Sequence, residues 1–173
     1  AGNLYVGGSF TNLANIAAAD YFAKWDGSAW SALGSGLNEQ VKSIEISANG
    51  VIYISGYFTS ASLDNDCKHV AYWNGTAWAP LATGLNGNVL SLKFHPNGRL
   101  LIGGDFTNAD GTNGDYFCIW DGTSFNSMTN WGATELNQYV FSVDVTPNGT
   151  IVIGGVFTDA GGDPNADHVA AWR

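Results

Sequence analysis

Four stretches of the chain decide its fold: Gly7-Gly8-Ser9-Phe10-Thr11, Ser55-Gly56-Tyr57-Phe58-Thr59, Gly103-Gly104-Asp105-Phe106-Thr107 and Gly154-Gly155-Val156-Phe157-Thr158. They begin at residues 7, 55, 103 and 154, so they lie 48, 48 and 51 residues apart. Trp25, Trp73, Trp120 and Trp172 follow in step. A fixed period of this size marks a repeat protein, in which each unit is one supersecondary element that buries its apolar face against the next.

Outward from each motif, the residues divide into four short strands, A to D. Apolar and polar residues alternate over Val41 to Ser47, Val89 to His95 and Val140 to Thr146, the period-two pattern of a half-buried strand A. Asn49-Gly50, Asn97-Gly98 and Asn148-Gly149 follow, and predict two-residue type I′ turns into apolar B strands such as Val51 to Ile54. Asp26-Gly27, Asn74-Gly75 and Asp121-Gly122, each directly after a repeated Trp, predict the hairpins from C to D. Helical periodicity is absent.

The expected fold is therefore all-β: a β-propeller of four repeated four-stranded antiparallel blades of about 48 residues, approximately 1–40, 41–88, 89–138 and 139–173. Counting strands leaves the first blade without A and the last without D. We therefore expect a part of a larger ring, or a protomer whose ring is completed by another propeller chain or by further copies of itself. The paired glycines of strand B are expected to admit a bulky neighbour, an aromatic one. The repeated Trp of strand C and Phe of strand B are expected to form the core between blades.

The order Gly-Gly-x-Phe-Thr, a variable loop, Ala-x-Trp-Asp-Gly-x-x-Trp and then Gly-Leu-Asn resembles the Kelch-type repeats of galactose-oxidase-like propellers of secreted bacterial proteins. The resemblance spans nearly the whole chain and implies the propeller fold. The copper site of galactose oxidase is not carried over with it, because its tyrosine-cysteine cofactor maps onto no residues here.

Charge and composition bound the partners. Six Lys and Arg against fifteen Asp and Glu give a net charge of -9, which repels phosphate backbones and anionic lipid, so no nucleic-acid partner and no membrane insertion are expected. No apolar run approaches the roughly 18 residues of a membrane helix. Abundant Gly, Asn and Thr suit an extracellular, cell-surface or virion setting. Cys67 and Cys118 fall at non-equivalent places in two repeats, so they read as buried thiols and not as a disulfide.

Strand order places the A-to-B and C-to-D turns at one end of each blade and the B-to-C and D-to-A loops at the other. The long loops, 12–20, 60–68, 108–115 and 159–167, hold most of the variation, so the candidate binding surface is there. Its candidate residues are Tyr21, His69, Tyr116 and His168 at the start of strand C, Lys68 beside them, and Asn38, Asn86 and Asn137 on the D-to-A loops. Oxygen-rich groups, Asp64-Asn65-Asp66, then Asp105, Asp110 and Asp115, then Asp159, Asp163 and Asp167, offer Ca²⁺ ligands, the last set being the metal candidate. None has EF-hand spacing, and no other cofactor is expected. Glu45, Lys93 and Asp144 share a position on strand A, and His95 takes a slot held by Ser47 and Thr146, where it caps a turn.

No Ser-His-Asp arrangement, zinc motif or phosphate loop is present, and no catalytic residue is assigned. The reading is a non-catalytic propeller module, structural or interacting, that binds a protein or glycan partner through the loop end. The alternative is a carbohydrate-active enzyme, a galactose-oxidase-like oxidase or a glycan-cleaving propeller, with catalytic residues partly outside this chain.

Overall fold

The alternating segments become strands because one row of side chains in each is apolar and the other is not. The computed structural model describes residues 2–109, 112–113, 116–127 and 136–172. Two units are distinguished, residues 1–84 and 85–173. In the first, β1 (Leu4–Gly7), β2 (Phe22–Trp25) and β3 (Trp30–Ser31) form a three-stranded sheet. Beside it, β4 (Val41–Ile46), β5 (Ile52–Gly56), β6 (Val70–Trp73) and β7 (Trp78–Pro80) form a four-stranded one in sequence order.

The second unit repeats the plan. Strands β8 (Val89–Phe94), β9 (Leu100–Gly104), β12 (Phe117–Trp120) and β13 (Phe125–Ser127) make a four-stranded sheet, while β14 (Val140–Val145), β15 (Ile151–Gly155) and β16 (Val169–Trp172) make a three-stranded one. Between β9 and β12 a small ribbon pairs β10 (Asn108–Ala109) with β11 (Thr112–Asn113). All neighbours are antiparallel, and the register repeats: Ile54 opposes Ile44 and Ala71, as Ile102 opposes Leu92 and Cys118. The all-β, bladed architecture expected from the repeats is the one observed.

The turns from A to B differ from expectation. The positive φ falls on the glycine alone, at 83° for Gly50, 88° for Gly98 and 85° for Gly149. Gly50 N–H donates to Ser47 C=O at 2.9 Å, and Ser47 N–H to Val51 C=O at 2.9 Å. This is a three-residue loop, a type I turn closed by a glycine bulge, and not a type I′ turn, which needs positive φ at both central residues. The side chain two places before Asn fixes it: Ser47 and Thr146 hydroxyls donate to the Asn carbonyl and accept from the N–H of Val51 and Thr150. His95 fills the same slot, its Nδ1 accepting from Asn97 N–H at 3.2 Å while Nε2 meets Gly149 C=O at 3.0 Å.

The paired glycines meet the expected aromatic neighbour only in part: a methyl on Gly8 or Gly155 would lie 3.5 or 3.0 Å from the ring of Phe10 or Phe157, while the other neighbours are of another kind. A methyl on Gly7 would lie 2.5 Å from Val41 Cγ1, and one on Gly103 would lie 2.6 Å from Val140 and 2.8 Å from Val143. The first glycine thus receives an aliphatic knob from strand A of the next sheet, not an aromatic ring. Its partner (Gly56, Gly104 or Gly155) lies against the backbone carbonyl of Gln40, Asn88 or Tyr139, where strand A enters through a bulge.

Phe58, Phe106 and Phe157 are fully buried, as expected. The repeated Trp residues are not: Trp25, Trp73, Trp120 and Trp172 are only half-buried. At the end of strand C, Trp25, Trp73 and Trp120 pack on an aromatic residue of strand D, with ring centroids 5.4 Å apart for Trp25 and Trp30, 5.3 Å for Trp73 and Trp78, and 4.9 Å for Trp120 and Phe125. Trp78 itself is buried and donates from Nε1 to Leu33 C=O at 3.0 Å. Cys67 and Cys118 are free, buried thiols.

Candidate functional site

The loop end of each sheet is organised by one backbone feature. Tyr21, His69, Tyr116 and His168 all adopt the left-handed conformation, with φ of 63°, 63°, 63° and 64°. Their N–H groups donate to Phe10, Phe58, Phe106 and Phe157 C=O at 2.8 to 2.9 Å, and their carbonyls accept from Gly8, Gly56, Gly104 and Gly155 N–H at 2.9 to 3.0 Å. Both backbone groups are satisfied, so the closure of the long loop holds the residue in a region that costs a non-glycine residue of order 1 kcal/mol or more.

The side chains at these places divide by type. In the first unit, half-buried Tyr21 packs against the cluster containing Phe22, Val41 and Phe58, and His69 is half-buried. In the second, Tyr116 packs against the cluster of Phe117, Val140 and Phe157, with its ring 5.6 Å from that of Tyr139. His168 is exposed. Each unit therefore presents one tyrosine and one histidine at equivalent places. Lys68, next to His69, is exposed.

The asparagines of the D-to-A loops are engaged. Asn38 Nδ2 donates to Thr59 Oγ1 at 2.9 Å while its Oδ1 accepts from the N–H of Thr59 and Ser60. Asn86 makes the same three bonds to Thr107 and Asn108, and Asn137 two of them to Thr158. These amides clamp the D-to-A loop onto the B-to-C loop and define the rim. The Thr partners were not singled out by the sequence reading, although a constant separation of 21 residues from Asn to Thr, kept while the repeat lengthens from 48 to 51, signals the pairing.

The acidic side chains of the rim serve the loops. Asp20 Oδ1 accepts from Asn12 N–H at 2.7 Å and Asp167 Oδ1 from Asp159 N–H at 3.2 Å, closing two alike loops whose 3₁₀ turns are Leu13–Asn15 and Ala160–Gly162. Asp163 accepts from the N–H and Nδ2 of Asn165, and Asp64 from Asp66 N–H. Asp105 grips Asn88 through both carboxylate oxygens. Among the described residues, no three His, Cys, Asp or Glu side chains come together as metal ligands, Asp159, Asp163 and Asp167 included. Asp110 and Asp115 lie outside the described residues. A cavity of about 400 Å³ opens between the last loop and β16, lined by Ala160, Asp163, Asn165, Val169 and Trp172.

The strand-A charges lie elsewhere: Lys93 Nζ sits 3.4 Å from Asp144 Oδ1, the lysine half-buried and the aspartate well exposed, a surface pair worth at most about 1 kcal/mol.

The sheet geometry and the repeats meet in one comparison. The family model of the Rax2 C-terminal β-propeller domain matches residues 23–118, from β2 through β12. The chain belongs to this family. Comparison with curated proteins found no match. The Rax2 C-terminal match covers two full turn-and-loop cycles, including the clamps of Asn38 and Asn86, and fixes the fold as a β-propeller without specifying the Kelch-type or galactose-oxidase-like kind. A Rax2-type propeller domain fits a non-catalytic interaction module.

Proposed function

We propose that this propeller region is a non-catalytic binding module that takes a glycan or protein partner on its loop end, at an extracellular, cell or virion surface. The carrying observation is the conflict at Tyr21, His69, Tyr116 and His168. Their left-handed backbone favours Gly or Asn, yet all four repeats carry a tyrosine or histidine there. Strain kept at equivalent loop positions is accounted for by what the side chains do, and aromatic rings with one polar tip beside Asn and Thr rims suit sugar faces and polar protein surfaces. The repeats themselves we read as Kelch-like, on the double glycine followed at a fixed distance by Trp.

The test is a glycan-array screen combined with capture on candidate extracellular proteins and bound-metal analysis. Saturable binding without stoichiometric metal is the expected result. Stoichiometric copper, or turnover of an arrayed sugar, would overturn the reading in favour of an enzyme.

A further inference from the structure

Where strand A enters at the loop end, the same bulge gathers three residues in each sheet: the one before the strand, the bulged one, and the one after the paired glycines. They are Gln40, Lys42 and Tyr57 in the second sheet, Asn88, Leu90 and Asp105 in the third, and Tyr139, Phe141 and Val156 in the fourth. The backbone joins them alike, since the N–H groups of Tyr57, Asp105 and Val156 donate to Gln40, Asn88 and Tyr139 C=O at 2.9, 3.0 and 3.0 Å. The side chains differ. Lys42 Nζ lies 5.1 Å from the centroid of the Tyr57 ring, and Asp105 grips Asn88 through both carboxylate oxygens. In the fourth sheet Tyr139, Phe141 and Val156 are 43%, 54% and 39% exposed.

The frame accepts Gln, Asn, Lys and Leu at the places of Tyr139 and Phe141, so the fold does not demand aromatic rings there. Nor is their exposure peculiar to the fourth sheet. Lys42 and Tyr57 are exposed at the matching places of the second, so these are rim positions that the repeat leaves open to solvent. The Tyr116 ring completes the group, 5.6 Å from that of Tyr139 and inclined to it by 61°, and is fixed by packing on the core cluster of Phe117, Val140 and Phe157. A group of exposed apolar side chains that packing does not require marks a recognition site.

We propose that Tyr116, Tyr139, Phe141 and Val156 form a stacking subsite for a pyranose ring of a neutral oligosaccharide. The proposal rests on the loop-end reading above and narrows its ligand. An aromatic face takes the apolar C–H face of a sugar ring, and the two tyrosine hydroxyls donate to and accept from sugar hydroxyls. None of the four side chains is charged, and the net charge of -9 repels acidic sugars. A stable protein interface takes about 20 or more residues from each side, whereas these few side chains match one or two sugar rings.

The probes are cellotriose, maltotriose and mannotriose, titrated into the full chain to about 20 mM, enough to populate a millimolar complex, with glucuronic acid as the charged comparison. Saturable shifts of the Tyr116, Tyr139 and Phe141 ring resonances with at least one trisaccharide, and none with glucuronic acid, are the expected result. Tyr139→Gln with Phe141→Lys gives the fourth sheet the residues that the second carries as Gln40 and Lys42. It should weaken binding at least about tenfold and keep the melting temperature within a few degrees of the parent. Phe141→Leu, after Leu90 of the third sheet, removes one ring without adding charge and should weaken binding as well. No shift with any trisaccharide, equal shifts with glucuronic acid, or binding kept by both variants would overturn the proposal. A partner from the array or capture screen that still binds the Tyr139→Gln, Phe141→Lys variant but not a His69→Asn, His168→Asn variant would overturn this subsite and leave the loop-end reading standing.

Discussion

Phe58 and Trp73 show how burial, and not size, sets the cost of a substitution. Phe58 is fully buried in the core of the first unit, whereas Trp73 is half-buried and packs on Trp78 near the C-to-D turn. Phe58→Ala should cost about 3 to 5 kcal/mol. Trp73→Ala should cost clearly less, because part of its site is open to water. Urea denaturation of both variants checks the order, and an equal or larger loss for Trp73→Ala would contradict it. The two thiols make a second test. Burial pushes the Cys118 thiol far above its usual range, and burial with Asp64 and Asp66 nearby pushes Cys67 up to about 12. Neither should react with a disulfide reagent at pH 8 in the folded protein, and both should react once it is unfolded. Rapid labelling under native conditions would show that these sites open.

The turns and clamps belong to the scale of elements. In the C-to-D turns, Asp26 Oδ1 accepts from Ser28 N–H, Ser28 hydroxyl and Ala29 N–H, and Asp121 accepts the matching bonds from Thr123 and Ser124. The N–H of Ala29, followed by Ser28, lowers the Asp26 carboxyl from 3.8 to about 2, and Ser124 and Thr123 hold Asp121 well below the usual range. A folded pKa below the unfolded one gives stabilisation that is complete above about pH 4 and is lost as pH falls toward 2. Asn74 makes the same bonds uncharged in the second sheet. Asp26→Asn with Asp121→Asn should therefore flatten the acid loss of stability between pH 4 and 2, read from urea midpoints; an unaltered pH slope would contradict the turn as its source. For the Asn86 clamp, Asn86→Ala and Thr107→Val should each cost about 1 to 2 kcal/mol and together less than their sum, as a double-mutant cycle would show. Additive losses would mean that the two side chains act separately.

Strand positions were legible because alternation in Val41 to Ser47 and its repeats leaves one register for burying the apolar row. The turn type was not legible, since Asn-Gly serves both a type I′ turn and a glycine bulge, and the choice rests on a hydroxyl or imidazole two residues earlier. Trp burial was misread because a large apolar residue beside a turn looks, in sequence, like one at the sheet centre. At the loop end, Tyr21, His69, Tyr116 and His168 were visible as a repeated position, but their left-handed backbone was not, because tyrosine and histidine are not the residues that conformation favours. The Asn clamps needed the Thr partner, which lies in the neighbouring loop and not nearby in sequence.

At the scale of the whole molecule, the repeat gives four sheets in two units, each unit with its own apolar cluster. The net charge of -9 acts over all of it. With six Lys and Arg against fifteen Asp and Glu, the chain should not be retained on heparin at about 150 mM salt, where charges more than about 8 Å apart are screened; retention would contradict the expectation that polyanions are not its partners. The central claim is that the two histidines held at the strained positions of the loop end, His69 and His168, serve binding and not folding, whereas Tyr21 and Tyr116 also pack on the cores. Its most direct test is the affinity of a His69→Asn, His168→Asn variant for the partner found by the array or capture screen, with its melting temperature measured alongside. Asn suits the left-handed backbone, so the account predicts a melting temperature within a few degrees of the parent and affinity reduced at least about tenfold, roughly 1.4 kcal/mol. Unchanged affinity, or a large fall in melting temperature with binding intact in the remaining folded protein, would contradict it.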